Sequence, residues 1–142
     1  MTFLDRLQPL GLLALRVTLG VIMIAHGYGK VFGISKHVGF VSGLGLPGWL
    51  AYPSAGAEFF GGILLIVGLL TRITSVFVLI NMLVAVFKVH LPNGLVGRGG
   101  YEFPLALSAM AFALIFFGAG ALSLDAVIFR GRGGGILRRT SR

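Results

Sequence analysis

Apolar residues fall along this chain in four long runs separated by short polar or glycine-rich breaks, a pattern that predicts helices able to cross a bilayer. The first run, residues 9–28, opens on Pro9, at a first helical position that tolerates proline, and lasts about 20 residues or roughly 30 Å. A retained span is expected here rather than a cleaved signal peptide. Arg16 interrupts the run, and Ile24-Ala25-His26-Gly27 lacks a small-x-small cleavage site. The second run, 53–70, follows the Gly45-Leu46-Pro47-Gly48 turn signal and again begins with proline. Only Thr71 and Arg72 separate it from the third, 73–90, which forces the two to be antiparallel neighbours. The fourth covers 104–121, and residues 130–142 read as a flexible, basic, glycine-rich tail behind a four-span domain of residues 1–129.

Composition sharpens this into an all-α integral membrane four-helix bundle. Hydrophobic residues make up 56% of the chain and charged residues 11%, against about 25% charged in soluble domains. The 23 glycines suit helices that pack by close backbone approach. The absence of cysteine excludes disulfides, thiolate nucleophiles, CxxCH haem attachment and cysteine-ligated iron–sulfur clusters.

An even number of spans leaves both termini on one side, and the basic residues choose the side. Arg6, Arg72, Arg130, Arg132, Arg138, Arg139 and Arg142 flank one end of the spans, against Lys30, Lys36, Lys88 and Arg98 at the other. Cytoplasmic termini are therefore expected, with loops 30–52 and 91–103 facing outward. The net charge of +8 lies largely in the tail. It suits anionic lipid headgroups; nucleic acid is not expected as a partner, since no aromatic or fold signature accompanies the charge.

Ionisable groups within a span cost a few kcal/mol, so each calls for a partner or a task. Glu58 falls about five residues inside the outer end of the second run and shares a helical face with Ser54, Gly61 and Leu65. His26 and Lys30 close the outer end of the first run, and Lys88 and His90 that of the third. Asn93, Tyr101 and Glu102 arrive at the same level from the second outer loop. Two readings of this cluster stand. It is the wall of a site where Glu58 exchanges protons and lysines hold an anionic or quinone-like headgroup, or it is an ion-pair network that locks the helices together. In the inner half, Arg16, Asn81 and Asp125 suggest a buried structural contact.

His26 and His90 raise the idea of haem, but on a continuous helix His90 points about 180° from Asn81, which disfavours it. Of the three histidines, His37 falls in an expected loop, no His-x-x-x-His pair exists, and no metal site is predicted. Gly94, Gly97, Gly99 and Gly100 lack a preceding strand and a Gly-Lys-Ser/Thr ending, so they read as a shaped outer loop. Trp49, Tyr52 and Tyr28 read as an interfacial aromatic belt.

Several of these segments, in order, resemble the DoxX family of small membrane proteins. They are Ala25-His26-Gly27 with Lys30, Leu44-Gly45-Leu46-Pro47, Ala57-Glu58-Phe59 with Gly61-Gly62, Leu69-Leu70-Thr71-Arg72, Val89-His90-Leu91-Pro92-Asn93-Gly94, Gly99-Gly100-Tyr101-Glu102-Phe103-Pro104 and Ser123-Leu124-Asp125. The resemblance implies a four-helix bundle in a prokaryotic cytoplasmic membrane and sets His26, Glu58, His90, Asn93, Tyr101 and Glu102 at the family's motif positions. It also implies association with membrane redox systems: quinone- or sulfur-compound-linked oxidoreductases, or oxidative-stress complexes.

The leading expectation is thus a membrane subunit or partner of a redox system rather than a self-sufficient enzyme. The cofactor is left open, with a quinone as the candidate and haem disfavoured; the outer polar cluster is expected to engage a quinone or a small anion while another redox protein supplies the electron carrier. The alternative is a structural or assembly subunit, motivated by the small-residue pairs Ala57/Gly61 and Ala109/Ala113, which also suit a homo-oligomer. A transporter is weaker, for want of an inverted repeat.

Overall fold

A computed structural model describes residues 3–130. The basic tail falls outside the described residues apart from Arg130. Among them the chain is all helix and turn, with no strand. Helix α1 spans Phe3–Phe32, α2 Ile34–Gly43, α3 Ala51–Val67, α4 Thr71–Val84, α5 Glu102–Phe117 and α6 Leu124–Arg130. A 3-10 turn, Gly48–Leu50, leads into α3, and α4 runs on through a π-helical turn, Ala85–His90, and a 3-10 turn, Leu91–Asn93. Three segments, Phe3–Phe32, Gly48–Val67 and Thr71–Asn93, are long and apolar enough to cross a membrane; α5 is a shorter apolar helix.

Helix ends differ from the expected spans for local reasons. Pro9 removes one hydrogen bond but does not stop α1, which extends back to Phe3 with Asp5 in its first turn, favourable to the helix dipole. Helix α3 stops at Gly68, whose φ of 71° needs no Cβ and whose N–H closes on the Leu64 carbonyl at 2.8 Å. Helix α5 ends at Phe117, short of the expected residue 121, because Gly118 turns the chain at φ 73°.

Helix α1 packs mainly on α3, α4 on α5, α3 on α4, and α5 returns to α1, which fixes the order around the bundle. Leu19, Met23, Leu65, Val78, Met82, Leu107, Ala111 and Leu114 form the core. The α1–α3 seam is a close approach of glycines: Gly20 and Gly27 on α1 lie against Gly62 and the Phe59 backbone on α3. Outward faces carry Phe77, Ile80, Phe112 and Phe116, all more than half exposed, a distribution suited to lipid rather than water.

The expected contact among Arg16, Asn81 and Asp125 does not form as a unit. Buried Arg16 donates to the carbonyls of Ala119 at 2.8 Å and Leu122 at 2.7 Å, tying the segment after α5 to α1. Asp125 instead accepts the N–H groups of Leu70 at 2.7 Å and Thr71 at 2.9 Å, capping α4 from a distant part of the chain. Asn81 belongs to the opposite half of the bundle. The reason is the antiparallel turn, which sets Asn81, ten residues past Thr71, level with Glu58, nine residues before Val67.

Candidate functional site

Glu58 lies seven residues past Ala51, about 10 Å into α3. Its face is the one that helical spacing predicts: Ser54 lies one turn before it, and Gly61 and Leu65 are buried beyond it. Two neighbouring helices reach this carboxylate. Lys30 Nζ, from the last turn of α1, donates to Glu58 Oε1 at 2.5 Å. Asn81 Nδ2, from α4, donates to the same oxygen at 2.7 Å. Glu58 is 1% exposed, and its Oε2 is buried with no hydrogen-bond partner. A carboxylate so placed has its charge offset on one side and unused acceptor capacity on the other.

These groups close one end of a cavity of about 330 Å³, within the range of small-molecule sites. Lys30, His37, Ser54, Glu58 and Asn81 supply its polar end; the rest of the wall is apolar, including Val41, Leu44, Leu50, Ile80 and Val84. Phe40 of α2 and Phe77 and Ile80 of α4 line it while remaining half exposed or more, so its wall includes side chains of the lipid-suited surface.

His37, which the sequence pattern puts in a loop, is carried by α2 and buried. Its Nε2 lies 3.2 Å from Ser54 Oγ. Burial first, and then the positive charge of Lys30, hold this imidazole below its ordinary value of 6.5, with Glu58 acting in the other direction. A neutral ring at the cavity wall is the result.

Of the eight predicted site residues, the structure brings Lys30 and Glu58 into contact and distributes the other six elsewhere. His26 donates Nδ1–H to the Ile22 carbonyl at 2.9 Å and packs beside Phe103, with ring centroids 5.8 Å apart. His90 Nδ1–H and Asn93 Nδ2 both donate to the Gly99 carbonyl, at 2.8 and 2.9 Å, and so pin the glycine loop. The backbone N–H groups of Tyr101 and Glu102 close that loop on the carbonyls of Gly94 and Leu95. Lys88 is exposed. Since carbonyls only accept, both His26 and His90 carry a proton on Nδ1.

Three residues at the polar end lay outside the predicted set: Asn81, His37 and Ser54. Counting outward from the Thr71-Arg72 turn gives the signal for Asn81, and the one-turn spacing to Glu58 that for Ser54. His37 had none, because the fold of α2 over the cavity depends on contacts remote in sequence. Among the described residues, no three His, Cys, Asp or Glu side chains gather as a metal site requires.

Residues 11–91 match the family model DoxX, and residues 55–134 match a second model described as TQO small subunit DoxD. The chain is 34% identical over 126 residues to Putative oxidoreductase CatD of Bacillus subtilis, covering 89% of this chain and 92% of that protein. It is 28% identical over 127 residues to Inner membrane protein YqjF of Escherichia coli, covering 88% and 97%. An uncharacterized protein of Haemophilus influenzae is 32% identical over 139 residues, covering 92% and 99%. No solved structure matches the chain.

Proposed function

The chain belongs to the DoxX family, and on that footing we propose that it is a small integral membrane subunit or partner of a redox system, whose cavity beside Glu58 receives a quinone-like headgroup or a small anion. The observation that carries this reading is the state of Glu58. It is buried, held at Oε1 by Lys30 and Asn81, unpartnered at Oε2, and set at the wall of a largely apolar cavity. A hydroxyl-bearing headgroup donates to such a carboxylate or gives it a proton, while Lys30 compensates the charge. The oxidoreductase name of the Bacillus subtilis relative and the subunit description of the second family model support a redox setting. With no cysteine in the chain, cysteine-bound electron carriers belong to a partner.

The proposed placement is four spans in a prokaryotic cytoplasmic membrane, with the fourth supplied by α5 and the chain around it. Both termini are cytoplasmic and the α2 end is outermost, following the arginine bias. The name of the Escherichia coli relative supports the inner membrane.

Gentle purification from the native membrane, followed by mass spectrometry of associated proteins and extracted small molecules, tests the function. A stoichiometric redox protein is expected, together with a quinone that is depleted in the Glu58→Gln variant. Rapid quinone turnover by the isolated chain would overturn the need for a partner.

A second reading, a structural subunit that assembles a larger complex, draws support from a shallow groove on the outward side of α3 and α4. Gly56, Ala57, Phe60, Thr74 and Phe77 line it, and its small side chains leave room for another helix. A complex that is intact in Glu58→Gln and free of quinone in both proteins would favour that reading.

A further inference from the structure

The outer end of α4 carries a one-residue slip in helical register. Ala85–His90 forms a π-helical turn, and the Leu91 N–H closes on the Val86 carbonyl, five residues back. On a continuous α-helix Lys88 would lie about 20° from Asn81, in the middle of the arc through which α4 lines the cavity, and Val89 about 80° away, outside that arc. The structure reverses the two. Val89 lines the cavity, while Lys88 is exposed and has no hydrogen-bond or ion-pair partner among the described residues. The extra residue of the π turn accounts for the exchange, since it rotates everything beyond it by about 100°.

We propose that this π turn is a register switch: when it relaxes to α-helix, Lys88 swings onto the cavity face and its ammonium pairs with Glu58 Oε2, closing the cavity from within. The acceptor is in place, because Oε2 is buried and has no hydrogen-bond partner. Lys88 stands about 10 Å outward of Asn81 along the helix. Side chains slant toward the N-terminus of their own helix, so on antiparallel α3 and α4 the Lys88 stem slants inward and the Glu58 side chain outward, each toward the other. What holds the π register is the clasp of His90 Nδ1–H and Asn93 Nδ2 on the Gly99 carbonyl. The α register exchanges those two hydrogen bonds for one ion pair to a buried carboxylate, contacts of similar worth, which is what a two-state element needs. The inference goes beyond the proposed function and holds for any occupant of the cavity, which the switch excludes.

A carbodiimide joins a carboxylate to an amine that touches it, so it captures the pair covalently. The full chain in lipid nanodiscs is treated with dicyclohexylcarbodiimide, and lysine–glutamate cross-links are read by peptide mass spectrometry. Lys30→Arg keeps the counter-charge of Glu58 and removes the competing amine. A Lys88–Glu58 cross-link is expected to build up in Lys30→Arg, and to form about tenfold faster in Lys30→Met, where Glu58 has lost its first cation. Deleting the exposed Phe87 removes the extra residue, so an ordinary α-helix then sets Val89 about 20° from Asn81 and keeps Lys88 off the cavity face. The Lys88–Glu58 cross-link is expected to vanish when this deletion is added to Lys30→Arg, while the deletion alone retains the Lys30–Glu58 cross-link.

If the unaltered protein yields the Lys30–Glu58 product but Lys30→Arg yields none between Lys88 and Glu58, the switch is overturned, and this result stands even if the shortened chain fails to fold. A Lys88–Glu58 product that survives the deletion would overturn it as well, since Lys88 would then reach Glu58 without a change of register.

Discussion

Gly20 on α1 and Gly62 on α3 meet backbone to backbone: a methyl group added at Gly20 would stand 2.6 Å from the Gly62 carbonyl oxygen, and one added at Gly62 2.7 Å from that of Gly20. This contact, with Gly27 against Phe59 farther along, sets the spacing at which Lys30 reaches Glu58. A side chain at Gly20 has to push the helices apart. Gly20→Val is expected to destabilise the protein by about 2 kcal/mol, the usual cost of overpacking. Gly29→Ala, at a position with nothing within 4 Å, is the control expected to change little. Thermal unfolding in detergent compares the two.

The Lys30–Glu58 pair makes an asymmetric prediction. Lys30→Met leaves a buried carboxylate without its counter-charge and is expected to cost about 2 kcal/mol, tempered by the 31% exposure of the lysine side chain. Glu58→Gln keeps the shape and removes the charge, so it is expected to cost less. The double variant Lys30→Met/Glu58→Gln is expected to recover stability relative to Lys30→Met alone. A double-mutant cycle on unfolding midpoints measures this coupling.

Asp125 works as a cap for a helix more than fifty positions earlier in the chain, accepting the Leu70 and Thr71 N–H groups where Leu70 sits at φ 52°. Asp125→Ala is expected to cost about 1 kcal/mol, as loss of a helix cap does, and Asp125→Asn less, since its carbonyl still accepts. Hydrogen exchange at the start of α4 is the measurement, with faster exchange expected in the alanine variant.

His37 gives stability a pH dependence of known sign. Its value in the folded protein lies below the ordinary 6.5, so at intermediate pH the unfolded chain binds more protons than the folded one. The stabilising contribution is complete above pH 6.5 and is lost as the pH falls through the lowered folded value. Melting temperature against pH for the unaltered protein, minus the same curve for His37→Gln, is expected to decline below pH 6.5 and to stay flat above it.

Much of this was legible in the sequence because hydrophobic runs and helical spacing are local. The apolar segments, the Glu58–Ser54 face and the antiparallel α3–α4 turn follow from counting residues along a helix, whereas the spacing leaves Lys30, Lys88 and His26 equal as partners of Glu58 and only the packing selects Lys30. The same counting, ten residues out from Thr71 against nine back from Val67, sets Asn81 level with Glu58 and not in the inner half where the sequence reading puts it. The helix that carries His37 hid behind the glycines at Gly33, Gly39 and Gly43, which read as loop but fall within or beside α2. His90 and Asn93 lie nine and twelve residues beyond Asn81, the residue level with Glu58, and their hydrogen bonds to Gly99 are decided by how the glycine loop folds back. No residue spacing encodes that.

The most direct test of the account is the affinity of decyl-1,4-benzoquinol, the reduced form that carries hydroxyl donors, for the nanodisc-embedded chain, with and without Glu58→Gln, read from the fluorescence of Trp49, which immediately precedes Leu50 of the cavity wall. Saturable binding that weakens about tenfold or more in Glu58→Gln is the predicted result, since the hydrogen bond that a quinol hydroxyl donates to a charged acceptor is replaced by one to a neutral amide. Equal affinity in the two proteins, or no saturable binding in the unaltered one, would contradict the assignment of this cavity as a quinone headgroup site.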